Sequence, residues 1–97
     1  MSKAKTIPYD AAQFLHDEAD CAAYLQAVME EDGVTEQNIA AALGDIARAH
    51  GMAQLARETG LAREALYRSL SPDGNPSLST LLRVTRALGM KLTAVPM

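Results

Sequence analysis

Glycine interrupts this chain at positions 33, 51, 60 and 89, and between the interruptions apolar residues recur three and four apart. That combination constrains the fold more than any other feature. A period near 3.6 puts such residues on one face of an α-helix. A glycine closes a helix because it enters the left-handed backbone region at little cost. Cys21, Leu25, Val28 and Met29 predict the inner stripe of a helix from about Asp17 to Glu31, which Gly33 stops. Thr35 is placed to cap a second helix from Glu36 to about His50, with Ile39, Leu43 and Ile46 inward and Gly51 at its end. Met52 to Thr59 forms a short third helix with Leu55 and Ala56 inward. Gly60 then permits a sharp turn into a fourth helix, from about Arg63 to Leu70.

The stretch SPDGNP, Ser71 to Pro76, is dense in turn residues and reads as a connector. Ser77 or Ser79 can cap a last helix ending near Leu88, with Leu78, Leu81, Leu82, Thr85 and Leu88 as its stripe. KLTAV, Lys91 to Val95, alternates in the manner of a short β-strand and needs a partner for its backbone groups. At the other end, Asp10 is placed to cap a helical turn presenting Phe14 and Leu15, and residues 1–8 read as an arm. The expected fold is all-α: about five helices with a short C-terminal β-strand. Residues 9–97 form one domain, with 9–34 an acidic helical extension and 35–97 the core. A length of 97 residues and 48% hydrophobic content with one Phe and three Tyr fit helices packed on helices.

Charge divides the chain. Up to Ile46 there are two basic and nine acidic residues, a net of −7; from Ala47 onward there are seven basic and three acidic, a net of +4. The C-terminal half suits a polyanion and the N-terminal half a basic partner. Cys21 stands alone, so an internal disulfide is excluded and a reduced, cytosolic setting is expected. No segment is long and apolar enough to suggest a signal peptide or membrane span.

Within the basic half, GMAQLARETGLAREALYRSL meets the needs of a helix-turn-helix. Ala56 lets the second helix approach, Gly60 makes the turn and Leu66 anchors the second helix in the core. Ala62, Arg63, Glu64, Tyr67 and Arg68 are then its exposed face. Arg63 or Arg68 can pair with guanine O6 and N7, Glu64 can accept from cytosine N4, and Tyr67 can touch a phosphate or thymine methyl. Gln54, Arg57, Arg83 and Arg86 are candidate phosphate contacts, which position a protein without reading sequence.

Other groups read as structural. His16 and His50 lack a further convergent ligand, so no metal site is expected. Cys21 lies on an apolar stripe and reads as an inert thiol. The carboxylates are neighbours in sequence at helix ends, not opposed across a scissile bond. No cofactor and no catalysis are expected.

The segments GDIARAHGM, REALYRSLS and GNPSLSTLLRVTRALG together resemble the addiction-module antidote family, a branch of the Xre/Cro-C1 repressor-like proteins. The similarity extends upstream through YDAAQFLHDEADCAAYLQAVMEEDG, leaving out the first residues and the extreme C-terminus. The resemblance implies a lambda-repressor-like helix-turn-helix bundle and an antitoxin that represses its own operator as a homodimer. It also implies a cognate small, basic toxin of the RelE/ParE type, with Asp17, Glu18, Asp20, Glu30, Glu31 and Asp32 as candidate toxin-facing residues. A dimer of this kind sets two recognition helices about 34 Å apart. Two alternatives stay open: a protein-interaction module without DNA binding, and a stand-alone phage-type repressor.

Overall fold

Side-chain caps set where three of the five α-helices among the described residues begin. The computed structural model describes residues 11–97. A 3-10 turn at Ala11–Phe14 leads into α1, Glu18–Met29, where the Asp17 carboxylate accepts from the Asp20 amide at 2.8 Å. α2, Glu36–His50, opens with a reciprocal cap: Thr35 Oγ1 accepts from the Asn38 amide at 3.2 Å and Asn38 Oδ1 from the Thr35 amide at 3.0 Å. Each bond satisfies a donor that a helix N-terminus leaves without an internal partner. α3 is Met52–Thr59 and α4 is Arg63–Ser69. α5, Leu78–Ala87, is capped by Ser77, which accepts from the Thr80 amide at 3.1 Å.

α2 is the central element. It touches the 3-10 turn, α1 and α3, and α3 in turn touches α4 and α5. Leu43, Ile46, Leu55, Leu66 and Val84, drawn from α2 to α5, are fully buried in one cluster that also takes in Leu25 of α1. The acidic extension therefore shares the core of the basic half. Burying one such side chain stabilises by about 1.5–3 kcal/mol. Thr85 is buried with them, and its hydroxyl donates to the Leu81 carbonyl at 2.9 Å, so that hydroxyl is not stranded.

At Gly44, α2 lies close against Leu70, the residue that ends α4. A Cβ at that position would overlap the carbonyl oxygen of Leu70. Gly60 has φ +75°, the left-handed conformation that lets the chain reverse between α3 and α4.

Several expectations need correction. Among the described residues there is no strand: Lys91–Val95 runs without a ladder, and none of its backbone groups bonds to another described segment. Leu78 is 69% exposed at the mouth of α5, and Val84 fills the core position the expected stripe lacked. Met29, at 44% exposure, is the last residue of α1, and Tyr24 packs against the core instead. α4 ends one residue early, at Ser69. Residues 1–8 and the cap at Asp10 lie outside the described residues.

Candidate nucleic-acid interface

α4 is held by its inner face. Leu66 is fully buried, and Leu70, just past the helix, is also buried. Leu61 and Ala56 pack partly against the same cluster. The turn is tied locally: Thr59 Oγ1 donates to the Leu55 carbonyl at 2.8 Å and accepts from the Leu61 amide at 3.2 Å. With the inner face fixed, the helical period turns Ala62, Arg63, Glu64, Tyr67 and Arg68 outward, and all five are exposed.

Two of these side chains are arranged with respect to each other. The Arg63 guanidinium carbon lies 6.0 Å from the centre of the Tyr67 ring. This is a cation–π distance, one turn apart on the helix. It limits the rotamers open to Arg63, so less freedom is lost when its planar fork pairs with an acceptor. The helical period places the two side chains on one face without pairing them; their (i, i+4) spacing is the signal that points to the contact.

Arg57 is exposed on the last turn of α3. Arg83 and Arg86 are exposed on α5 and line a shallow cleft with Glu58, Thr59 and Ala87. Gln54 is engaged elsewhere, donating to Glu58 Oε2 at 3.0 Å. Glu58 Oε1 lies 2.8 Å from His50 Nε2. Through these bonds, from His50 first and Gln54 second, the Glu58 carboxyl is held below the usual carboxylate range. His50 thus partners Glu58, eight residues on, while its sequence neighbours Asp45 and Arg48 pair with each other at 2.6 Å.

The connector Ser71–Pro76 folds back against the C-terminal end of α4 at Gly74. The Gly74 amide donates to the Ser71 carbonyl at 2.8 Å, and Gly74 is buried against the Ser69 carbonyl. Its amide is thereby taken up internally.

The acidic residues divide into two groups at opposite ends of α1, a helix about 18 Å long at 1.5 Å per residue. Asp17 caps the helix; Asp20 accepts from the His16 amide at 3.1 Å; Glu18 lies over Gly89. At the far end Glu30 accepts from Gln26 at 3.1 Å, and Glu31 and Asp32 are exposed. Cys21 is half-buried on α1. Burial raises its thiol pKa, and the Asp20, Asp17 and Glu18 carboxylates push the same way. Among the described residues, no group of three or more His, Cys, Asp or Glu is placed to hold a metal ion. No helix among them is long and apolar enough to cross a membrane.

Comparison with known proteins adds a family to this geometry. The profile of the family described as "Probable addiction module antidote protein" matches residues 5–96. An uncharacterised protein of Haemophilus influenzae is 42% identical over 83 residues, which cover 86% of this chain and 84% of that one. No solved structure matches.

Proposed function

Since the chain belongs to the family of probable addiction module antidote proteins, we propose that it neutralises a small basic toxin and represses its own operator through α4. An antidote implies a toxin partner, and the resemblance points to the RelE/ParE type. In this reading α3, the turn at Gly60 and α4 form a helix-turn-helix in a lambda-repressor-like bundle of the Xre/Cro-C1 kind. α4 enters the major groove with Arg63, Glu64, Tyr67 and Arg68 at the base edges and Ala62 close to them. Arg57, Arg83 and Arg86 contact phosphates, and Gln54 does so once Glu58 releases it. A homodimer reads a near-palindromic site. The protein acts by binding alone, with no catalysis and no cofactor.

The single observation that carries this is the exposed face of α4. Two arginines, a glutamate and a tyrosine stand outward on a helix whose opposite side is locked by Leu66. Charge supports the second half of the reading. The acidic residues at both ends of α1 lie in the −7 half, which leaves them for a basic protein.

Gel retardation of the DNA upstream of the gene, with and without the neighbouring gene product, tests it. Expected are a shifted band with the antidote and a supershift or release with the toxin. No retardation at low salt, with toxin neutralisation intact, would leave a pure protein-interaction module. Retardation beside a neighbouring gene that encodes no small basic protein would leave a stand-alone repressor.

A further inference from the structure

We infer that Lys91–Val95 is the edge through which two copies of this chain pair, antiparallel, about a two-fold axis at Thr93. From Met90 to the C-terminus the chain runs without helix, turn or bend, and Lys91–Met97 is exposed throughout. Among the described residues, none of the backbone hydrogen bonds formed outside the helices involves Lys91–Met97. Leu92 and Val95 are 37% and 78% exposed. A segment whose N–H and C=O groups make no backbone bond among the described residues, and whose apolar side chains are exposed, is a template for strand addition.

The segment's own sequence selects a second copy as the occupant. Antiparallel pairing about Thr93 sets Thr93 against Thr93, Leu92 against Ala94 and Lys91 against Val95. No like charges meet, and a threonine pair is a favourable cross-strand contact. Pro96, which has no N–H, falls just outside this ladder and ends it. Such a contact is self-complementary and closes at two copies.

The surroundings agree. The tail forms one wall of a groove of about 470 Å³, and Ala22, Leu25 and Met29 of α1 help form the other. Its charged lining residues are Glu30 and Lys91, one of each sign. A neutral, apolar groove suits the neighbouring tail of a second copy better than a strongly basic protein. The pairing would supply the two-fold axis that the proposed operator binding uses, and in that sense it deepens that reading.

The test is the mass of the full chain by light scattering across a range of concentrations, for wild type and Thr93→Pro. Wild type is expected to be a dimer and Thr93→Pro a monomer with an unchanged helical circular dichroism spectrum. In a Cys21→Ser background, Thr93→Cys should cross-link to itself on mild oxidation, because opposed residues lie about 4.5–5.5 Å apart at Cα. Lys91→Cys should not, since its counterpart sits at the far end of the ladder. A monomeric wild type, or a Thr93→Pro chain that stays dimeric, overturns the pairing. So does a Thr93→Pro chain that dimerises but no longer binds the toxin, which would give the edge to the toxin. A tail-paired dimer that ignores operator DNA would refute the repressor reading and uphold this one.

Discussion

Tyr24 on α1 donates its hydroxyl to Oδ2 of Asp45 on α2 at 2.6 Å, while Arg48 holds the other carboxylate oxygen at the same distance. The acidic extension is thereby joined to the central helix by a charge-assisted bond as well as by Leu25. Hydrogen bonds to charged groups contribute about 1.5–3 kcal/mol. Tyr24→Phe should cost near 1.5 kcal/mol, the lower end, because Asp45 keeps Arg48. Thermal unfolding followed by circular dichroism should show a midpoint lowered by several degrees. An unchanged midpoint would mean that water replaces the hydroxyl without loss.

Gly44 predicts a larger effect from a smaller change. Its missing side chain is what lets α2 approach the Leu70 carbonyl. The obstacle is backbone at the end of α4, which cannot rotate aside as a side chain can. Gly44→Ala should destabilise by about 1–3 kcal/mol, the usual cost of overpacking, despite alanine's better helix propensity. Urea unfolding measures it. A Gly44→Ala chain as stable as wild type would show that α4 shifts freely against α2, and α4 would then be a poor platform for reading bases.

The helix boundaries were readable because their signals are local. Thr35, Ser77, Gly51 and Gly60 each act through a bond or a backbone angle within a few residues. The exposure of Arg63, Glu64, Tyr67 and Arg68 followed from periodicity once Leu66 was placed inside. What escaped was long-range. Periodicity cannot tell that α5 is rotated to bury Val84 and expose Leu78, since both lie near the edges of a broad apolar stripe. Nor can it bring Asp45 to Tyr24, 21 residues earlier, or turn His50 to Glu58 in place of its nearer neighbours. The strand at Lys91 failed for a related reason: alternation marks a segment able to pair, and pairing needs a neighbour.

Glu58 should shape the acid side of the stability curve. Its carboxyl is held below the usual range by the bonds from His50 and Gln54. A carboxyl depressed on folding stabilises the fold above its unfolded pKa, and that contribution disappears as pH falls through the lower folded value. Glu58→Gln removes the titrating group, so stability should fall less steeply through that acidic window than in wild type. Midpoints of denaturation measured from neutral to acidic pH check the slope. An identical acid limb would show that the His50 contact is not kept in solution.

Cys21 should be slow to alkylate in the native protein. Burial and the carboxylates of Asp20, Asp17 and Glu18 all raise its thiol above the ordinary value, leaving little thiolate at neutral pH. Its reaction with iodoacetamide should lag well behind that of the unfolded chain and speed up as pH rises. Native and unfolded rates that match would indicate that α1 opens readily from the core.

The arginines divide into two classes by what they should do to DNA binding. Arg63 and Arg68 stand on α4, where a bidentate pair with guanine discriminates by about 1–3 kcal/mol. Arg63→Ala or Arg68→Ala should lower operator affinity and narrow the gap between operator and unrelated DNA. Tyr67→Ala should partly reproduce the Arg63 loss, because it removes the ring that restrains Arg63. Arg83 and Arg86 stand on α5, where they line a shallow cleft with Glu58. If they touch phosphates, each alanine variant should weaken all DNA alike and reduce the slope of log affinity against log salt by about one. Titrations of operator and scrambled duplexes at several salt concentrations separate the classes. Loss of discrimination from Arg83→Ala, with none from Arg63→Ala, would move the reading face from α4 to α5.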